Sequence, residues 1–174
     1  KQQMIHLNIG SNLDSEFGNR FDNISSAINL LVNSSLKINK ISNFYETPSY
    51  PNKKFPKFIN VGVSANYEND EISLINEIHL IEKKIGRIKS KKNHPRVCDI
   101  DIIDFNGLVI DKKDIKIPHV KCHLRNFVLY PILQIDSEWV HPIIKKNVKI
   151  LINKLDQKSR IEITRLNKNV IINT

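Results

Sequence analysis

The chain has 174 residues, 40% of them hydrophobic, and a formal net charge of +9. That length suits one domain, residues 1–174, with a sizeable core, and no apolar run is long enough for a helical membrane span. The charge points to anionic partners, nucleic acid or a nucleoside triphosphate, but Lys and Asn are spread along the whole chain, so the sign carries little weight.

Met4 to Ile9 alternates apolar and polar residues and predicts a first strand. Gly10-Ser11-Asn12-Leu13 follows as a turn, where Gly10 either lets a ligand approach the backbone or simply joins strand to helix. Phe21, Ile24, Ile28 and Leu31 fall at helical spacing and predict an amphipathic helix over 17–33. Leu36 to Tyr45 reads as a second, irregular strand, and residues 46–51 as a proline-fixed loop.

Phe58 to Tyr67 predicts a third strand, with Ile59, Val61, Val63 and Ala65 on one face. Phe58 and Asn60 share the other. A ring beside an amide suits a flat, hydrogen-bonding heterocycle; an exposed aromatic is the plainer alternative. Asp70 to Ile85 reads as the second helix, N-capped by Asp70. Glu82 near its end opposes the helix dipole and is read as structural. Residues 86–93 form a basic loop, either a solvated surface or a clamp for anions.

The stretch from His94 to Asp104 carries the chemistry. In a strand, Asp99 and Asp101 project from one face while Ile100 and Ile102 face away. Paired carboxylates repel unless a cation sits between them. Oxygen ligands on one face suit Mg²⁺ held together with substrate phosphates, and Arg96 adds a positive charge for a phosphate. The plainer reading is a solvent-facing edge strand. Together these residues suggest metal-assisted phosphoryl transfer.

Beyond this stretch, Asn106-Gly107 signals a hairpin that returns through Leu108 to Ile110. Phe127 to Leu133 predicts a short helix ended by Pro131. A Lys-rich amphipathic segment runs to Leu155, and 161–166 reads as an extra strand without a function. Cys98 and Cys122 lack metal-ligand spacing and are expected to be reduced thiols. Lys1 to Gln3 precede a methionine with no apolar signal region, so the expected compartment is cytoplasmic.

Six strings in this order resemble the 6-hydroxymethyl-7,8-dihydropterin pyrophosphokinase family of folate biosynthesis. They are Gly10 to Leu13, Phe44 to Pro48, Phe58 with Asn60, the basic loop, His94 to Phe105 with Asn106-Gly107, and Pro118-His119 with Arg125 and Phe127. The resemblance spans 4–155, leaving 156–174 as a C-terminal extension. It implies an α/β (α+β) ferredoxin-like antiparallel sheet with helices packed outside, a three-layer α-β-α arrangement. It implies transfer of pyrophosphate from ATP to the pterin hydroxymethyl group, with AMP released.

In the resemblance, Asp99 and Asp101 hold two Mg²⁺ ions, and Arg87 and Arg96 join them as catalytic residues. Arg87, Lys89, Arg96, Ile102, Lys116, His119 and Arg125 form the nucleotide site. Gly10, Thr47, Pro48, Tyr50, Phe58, Asn60 and Phe127 bind the pterin, with Phe58 and Phe127 as the sandwiching rings. Partners are then ATP and the pterin, without nucleic acid or membrane, for a monomer or a piece of a larger folate-pathway polypeptide. The chain departs from the family at Phe58 (usually Tyr), Lys89 (usually Arg) and Asp114 (Arg in the family), where either Lys113 or Lys116 compensates or that ATP contact is missing. Two rivals stand beside this reading. An RNA-recognition module would use a similar sheet, but it gains nothing from two aspartates and no RNP-like string is present. A pyrophosphokinase-like domain that has lost activity is the other.

Overall fold

The computed structural model describes residues 3–86 and 95–173. An antiparallel sheet forms its centre. β1 (Gln3–Ser11) and β4 (Phe58–Tyr67) pair along their whole lengths, from Gln3 opposite Tyr67 to Ser11 opposite Ile59. β5 (Asp99–Phe105) flanks β1 on its other side. β2 (Lys37–Ile41) and β3 (Tyr45–Thr47) both pair with the far side of β4, and β8 (Thr164–Arg165) extends the sheet beyond β3.

Period-two alternation sorts the side chains of β1 between the two faces. Ile5, Leu7 and Ile9 enter the main core with Ile24, Ile28 and Leu31 of α1 (Arg20–Val32) and Leu74, Ile78 and Ile85 of α2 (Glu71–Ile85). His6 and Asn8 point to the opposite face and hydrogen-bond Asp136 and Phe127. That face is covered by α3 (Asn126–Ile135) and α4 (Val148–Asn153), which pack around Ile103, Cys122 and Trp139 in a second core. The result is the expected α-β-α layering of a ferredoxin-like α+β fold. Caps match the sequence signals: Asp70 accepts from the Ser73 N–H (2.8 Å), and Gly86 ends α2 with φ 108°.

A bulge in β5 places the acidic residues. Asp101 is opposite Asn8 and Ile102 opposite Leu7, but Asp104 is opposite His6, leaving Ile103 as an extra residue. Strict alternation would send Asp104 into the main core and Phe105 out of it. The bulge reverses both. Phe105 becomes fully buried against Tyr67, and Asp104 accepts the Trp139 indole N–H (2.8 Å) on the other face.

Several segments differ from the sequence expectation. Leu36–Tyr45 forms two strands rather than one, because the chain kinks at residues 42–44. There the Ser42 hydroxyl accepts from the Gly62 N–H (2.9 Å), and the Phe44 backbone turns to Leu166 and Lys168. Asn106 and Gly107 make a turn with φ of 52° and 75°, yet Leu108–Ile110 does not return onto β5. At the open edge of β5, the Ile100 N–H is taken by Glu82 (2.9 Å), and β6 (Ile110–Lys112) pairs with β7 (Ile115–Ile117) instead. This contact also explains Glu82 at the unfavourable end of α2. Of the predicted strand over 161–166, only β8 is strand; Ile161 ends a short helix, α5 (Gln157–Ile161).

Pro131 does not end α3; it lies inside it. Proline cannot donate to the carbonyl four residues earlier, which is that of Phe127. The Asn8 side chain takes that place, with Nδ2 donating to the Phe127 carbonyl (2.8 Å). Pro131 also packs flush on Gly62 of β4, where an added Cβ would lie 2.9 Å from the proline Cβ.

Candidate active site

On the α3 side of the sheet lies a cleft of about 530 Å³. Gly10 and Asn8 of β1, Asp99, Ile100 and Asp101 of β5, and Phe58 and Asn60 of β4 form its sheet side. Thr47, Pro48 and Tyr50 line it from the β3 loop, and His119, Arg125, Asn126 and Phe127 from the approach to α3. Arg96 completes the set of expected residues that meet here. Arg87 and Lys89 lie outside the described residues. Two others do not line the cleft. Ile102 is buried in the main core, and Lys116 pairs with Asp111 (3.4 Å) on the β6–β7 hairpin.

A chain of amides starts at Pro131 and ends in the cleft. Because the Phe127 carbonyl must receive an N–H, Asn8 turns Nδ2 toward it, and its Oδ1 accepts from Asn60 Nδ2 (2.7 Å). This fixes the orientation of both amides. Asn60 Oδ1 is then buried without a protein partner. A buried orphan acceptor costs about 1–3 kcal/mol, so its retention in a cleft marks a place for a ligand donor. Gly10 is needed for the same reason: a Cβ there would collide with the Asn60 amide nitrogen.

Asn12 ties the two ends of the site together. Its Nδ2 donates to Ser49 Oγ (3.1 Å) and the Pro56 carbonyl (3.0 Å), while its Oδ1 accepts the Arg96 N–H (2.7 Å). Arg96 Nη1 in turn approaches Asp99 at 3.4 Å. The β5 alternation puts both carboxylates on the cleft face, opposite Gly10 and Asn8. No group of three or more His, Cys, Asp or Glu side chains among the described residues could enclose a metal. Two carboxylates in an open cleft still fit Mg²⁺, which keeps waters and takes substrate phosphate oxygens as its other ligands.

His119 supplies a neutral donor. Burial, and then Arg125, push its pKa below the usual 6.5, against a smaller opposing effect of Asp99. Its Nδ1 accepts the Lys121 N–H (3.2 Å), which leaves the ring proton on Nε2. Arg125 stands 5.5 Å from the centre of the Phe127 ring. Neither cysteine forms a disulfide and both are buried, and burial pushes the Cys122 thiol up to about 12.

Sequence reasoning missed Asn8, Asn126, His79 and Glu162 as cleft residues. Asn8 carried one usable signal: a polar residue on a strand whose neighbours are buried. The roles of the others depend on tertiary placement alone.

The fold is ferredoxin-like α+β, and its cleft joins two adjacent carboxylates and a cluster of cations to an aromatic, amide-lined end. The chain belongs to the 7,8-dihydro-6-hydroxymethylpterin-pyrophosphokinase (HPPK) family, whose model matches residues 6–137. It is 34% identical to a 2-amino-4-hydroxy-6-hydroxymethyldihydropteridine pyrophosphokinase of Aquifex aeolicus, covering 83% of this chain and 88% of that one. It is also 30% identical to the folic acid synthesis protein fol1 of Schizosaccharomyces pombe, covering 98% of this chain but 23% of the relative. The Pneumocystis carinii relative of the same name is 33% identical, and the chain spans 18% of its length. Among solved structures, HPPK-DHPS of Plasmodium falciparum matches with a TM-score of 0.70 at 17% identity, over 95% of this chain and 48% of that one. At that identity the likeness shows the fold.

Proposed function

We propose that this protein is an ATP-dependent diphosphotransferase that transfers pyrophosphate from ATP to the hydroxymethyl group of 6-hydroxymethyl-7,8-dihydropterin, a step of folate biosynthesis. The observation that carries this reading is the orphan Asn60 Oδ1 in a cleft that also holds Phe58, Phe127 and the Asp99–Asp101 pair. A pterin brings N–H donors for the amide and a flat face for the rings. Asn60 and Thr47 read its edge, while Gly10 leaves room for the amide. Arg96, His119 and Arg125 bind phosphate oxygens, as the family resemblance implies also for Arg87 and Lys89.

The hydroxymethyl oxygen attacks the β-phosphorus in line. The bond from that phosphorus to the α–β bridging oxygen breaks, AMP leaves and the hydroxyl proton passes to water. Asp99 and Asp101 would hold two Mg²⁺ ions, which would supply positive charge to neutralise the phosphates. Positioning and electrostatics provide most of the acceleration, as in phosphoryl transfer generally. The coverage of the sheet face by α3 and α4 weighs against an open RNA-binding surface. Buried thiols outside any disulfide favour the cytoplasm, and no helix among the described residues is long and apolar enough to cross a membrane. Relatives with further activities in one chain, such as the bifunctional FolKE proteins of Lactococcus lactis, support a place in a larger folate-pathway polypeptide. Incubation with MgATP and the dihydropterin should release AMP, followed by chromatography; no AMP above a no-pterin control rejects the reading.

A further inference from the structure

The family match ends at residue 137, yet one wall of the cleft comes from beyond it: Glu162, half-buried, lines the cavity. Its place is built by contacts on both sides. Asn126 Nδ2 donates to the Ser159 carbonyl (2.7 Å), which ties α5 to the residue before Phe127. Lys158 lies over the Tyr50 ring at 5.3 Å. β8 then pairs with β3, with Thr164 opposite Glu46, which holds the end of α5, where Glu162 is the cap residue, close to the β3 edge of the sheet. The backbone beyond is tied down as well, with Leu166 N–H donating to the Phe44 carbonyl (2.8 Å).

This arrangement gives the cleft a polarity. Arg96, His119 and Arg125 mark where phosphates are welcome. Glu162 lines the same cleft on the segment whose Lys158 lies over Tyr50 and whose Ser159 is bonded by Asn126, and a carboxylate there repels phosphate and accepts from N–H donors. The 2-amino group and the adjacent ring N–H of a 2-amino-4-oxo heterocycle form such a donor pair. We infer that Glu162, carried by the segment that follows the family match, is a specificity-determining residue that reads the 2-amino side of the pterin. The inference rests on the function proposed above.

A second role is open to Glu162, since it also acts on Lys158, one helical turn earlier on α5 and pushed up mainly by Tyr50. An ion-pair role alone would change stability and not ligand choice. The test therefore compares the pterin with its 2-oxo analogue, using wild type, Glu162→Gln and Glu162→Asp, with AMP release as the readout. Glu162→Gln should raise the pterin KM roughly tenfold, leave the ATP KM within about twofold, and narrow the preference for 2-amino over 2-oxo by a similar factor. Glu162→Asp should retain part of that preference. Melting curves on all three identify loss of folding. If folded Glu162→Gln keeps the wild-type pterin KM and the wild-type preference, the inference is wrong while the proposed function stands. If wild type releases no AMP with either compound, the proposed function falls first.

Discussion

Asp99 and Asp101 sit side by side on one face, with Arg96 near the first. Neutralising one carboxylate removes a metal ligand and also relieves repulsion. The Arg96 contact is partly exposed, and such pairs contribute about 0–1 kcal/mol. Asp99→Asn and Asp101→Asn should therefore each abolish AMP release while shifting unfolding free energy by less than about 1 kcal/mol. Near-wild-type turnover in either variant would remove the metal role. Phe127 should matter differently, since stacking adds roughly 0.5–1.5 kcal/mol beyond area burial. Phe127→Ala should weaken pterin binding about tenfold or more in calorimetry, and unchanged affinity would end the idea of two aromatic walls. These residues were legible in sequence because their chemistry is local: a D-x-D on a strand or a ring two residues from an amide keeps its geometry wherever the strand goes. Asn8 and Asn12 were not, because each answers a need created far away in sequence, at Phe127 and at Arg96.

Legibility at the level of elements follows the same division. Residues 58–67 are the strand the alternation predicts, and Asp70 caps the helix it is expected to cap. Both depend on local pattern. The break at residues 42–44, the divergence after Gly107 and the continuation of α3 through Pro131 all depend on partners distant in sequence. The last of these can be tested by a double-mutant cycle. Asn8→Ala strands the Phe127 carbonyl and should cost about 1–3 kcal/mol of stability. Pro131→Ala supplies an N–H four residues after that carbonyl, so the same Asn8→Ala change made on top of it should cost roughly 1 kcal/mol less. Urea unfolding of the four proteins gives the coupling directly. Strict additivity would mean that Asn8 does not stand in for the missing helical bond.

Across the whole molecule, two histidines, His119 half-buried and His141 buried, link stability to pH. Burial, and then Arg125 and Lys121 against Asp99, lower the pKa of His119; burial, and then His123 against Asp104, lower that of His141. Each folded-state pKa lies below the ordinary 6.5, so the unfolded chain binds protons more readily in the interval between. Stability is therefore full above 6.5 and falls as pH drops through 6.5 toward the folded-state values, below which the loss levels off. The two sites sit in different places, His119 in the cleft and His141 beside Trp139 in the second core, where its Nδ1 accepts from the Ile143 and Ile144 N–H groups (3.1 Å each). An asparagine keeps an acceptor at position 141 and cannot take up a proton in this range. Thermal melts at pH 7.5 and 5.5 should show wild type losing stability on acidification, with His119→Asn/His141→Asn losing less. Bound MgATP should diminish the His119 part alone, because added phosphate charge beside that ring favours its protonated form and raises its pKa in the complex. An equal acid-induced loss in wild type and the double variant would place the pH dependence in the carboxylates instead.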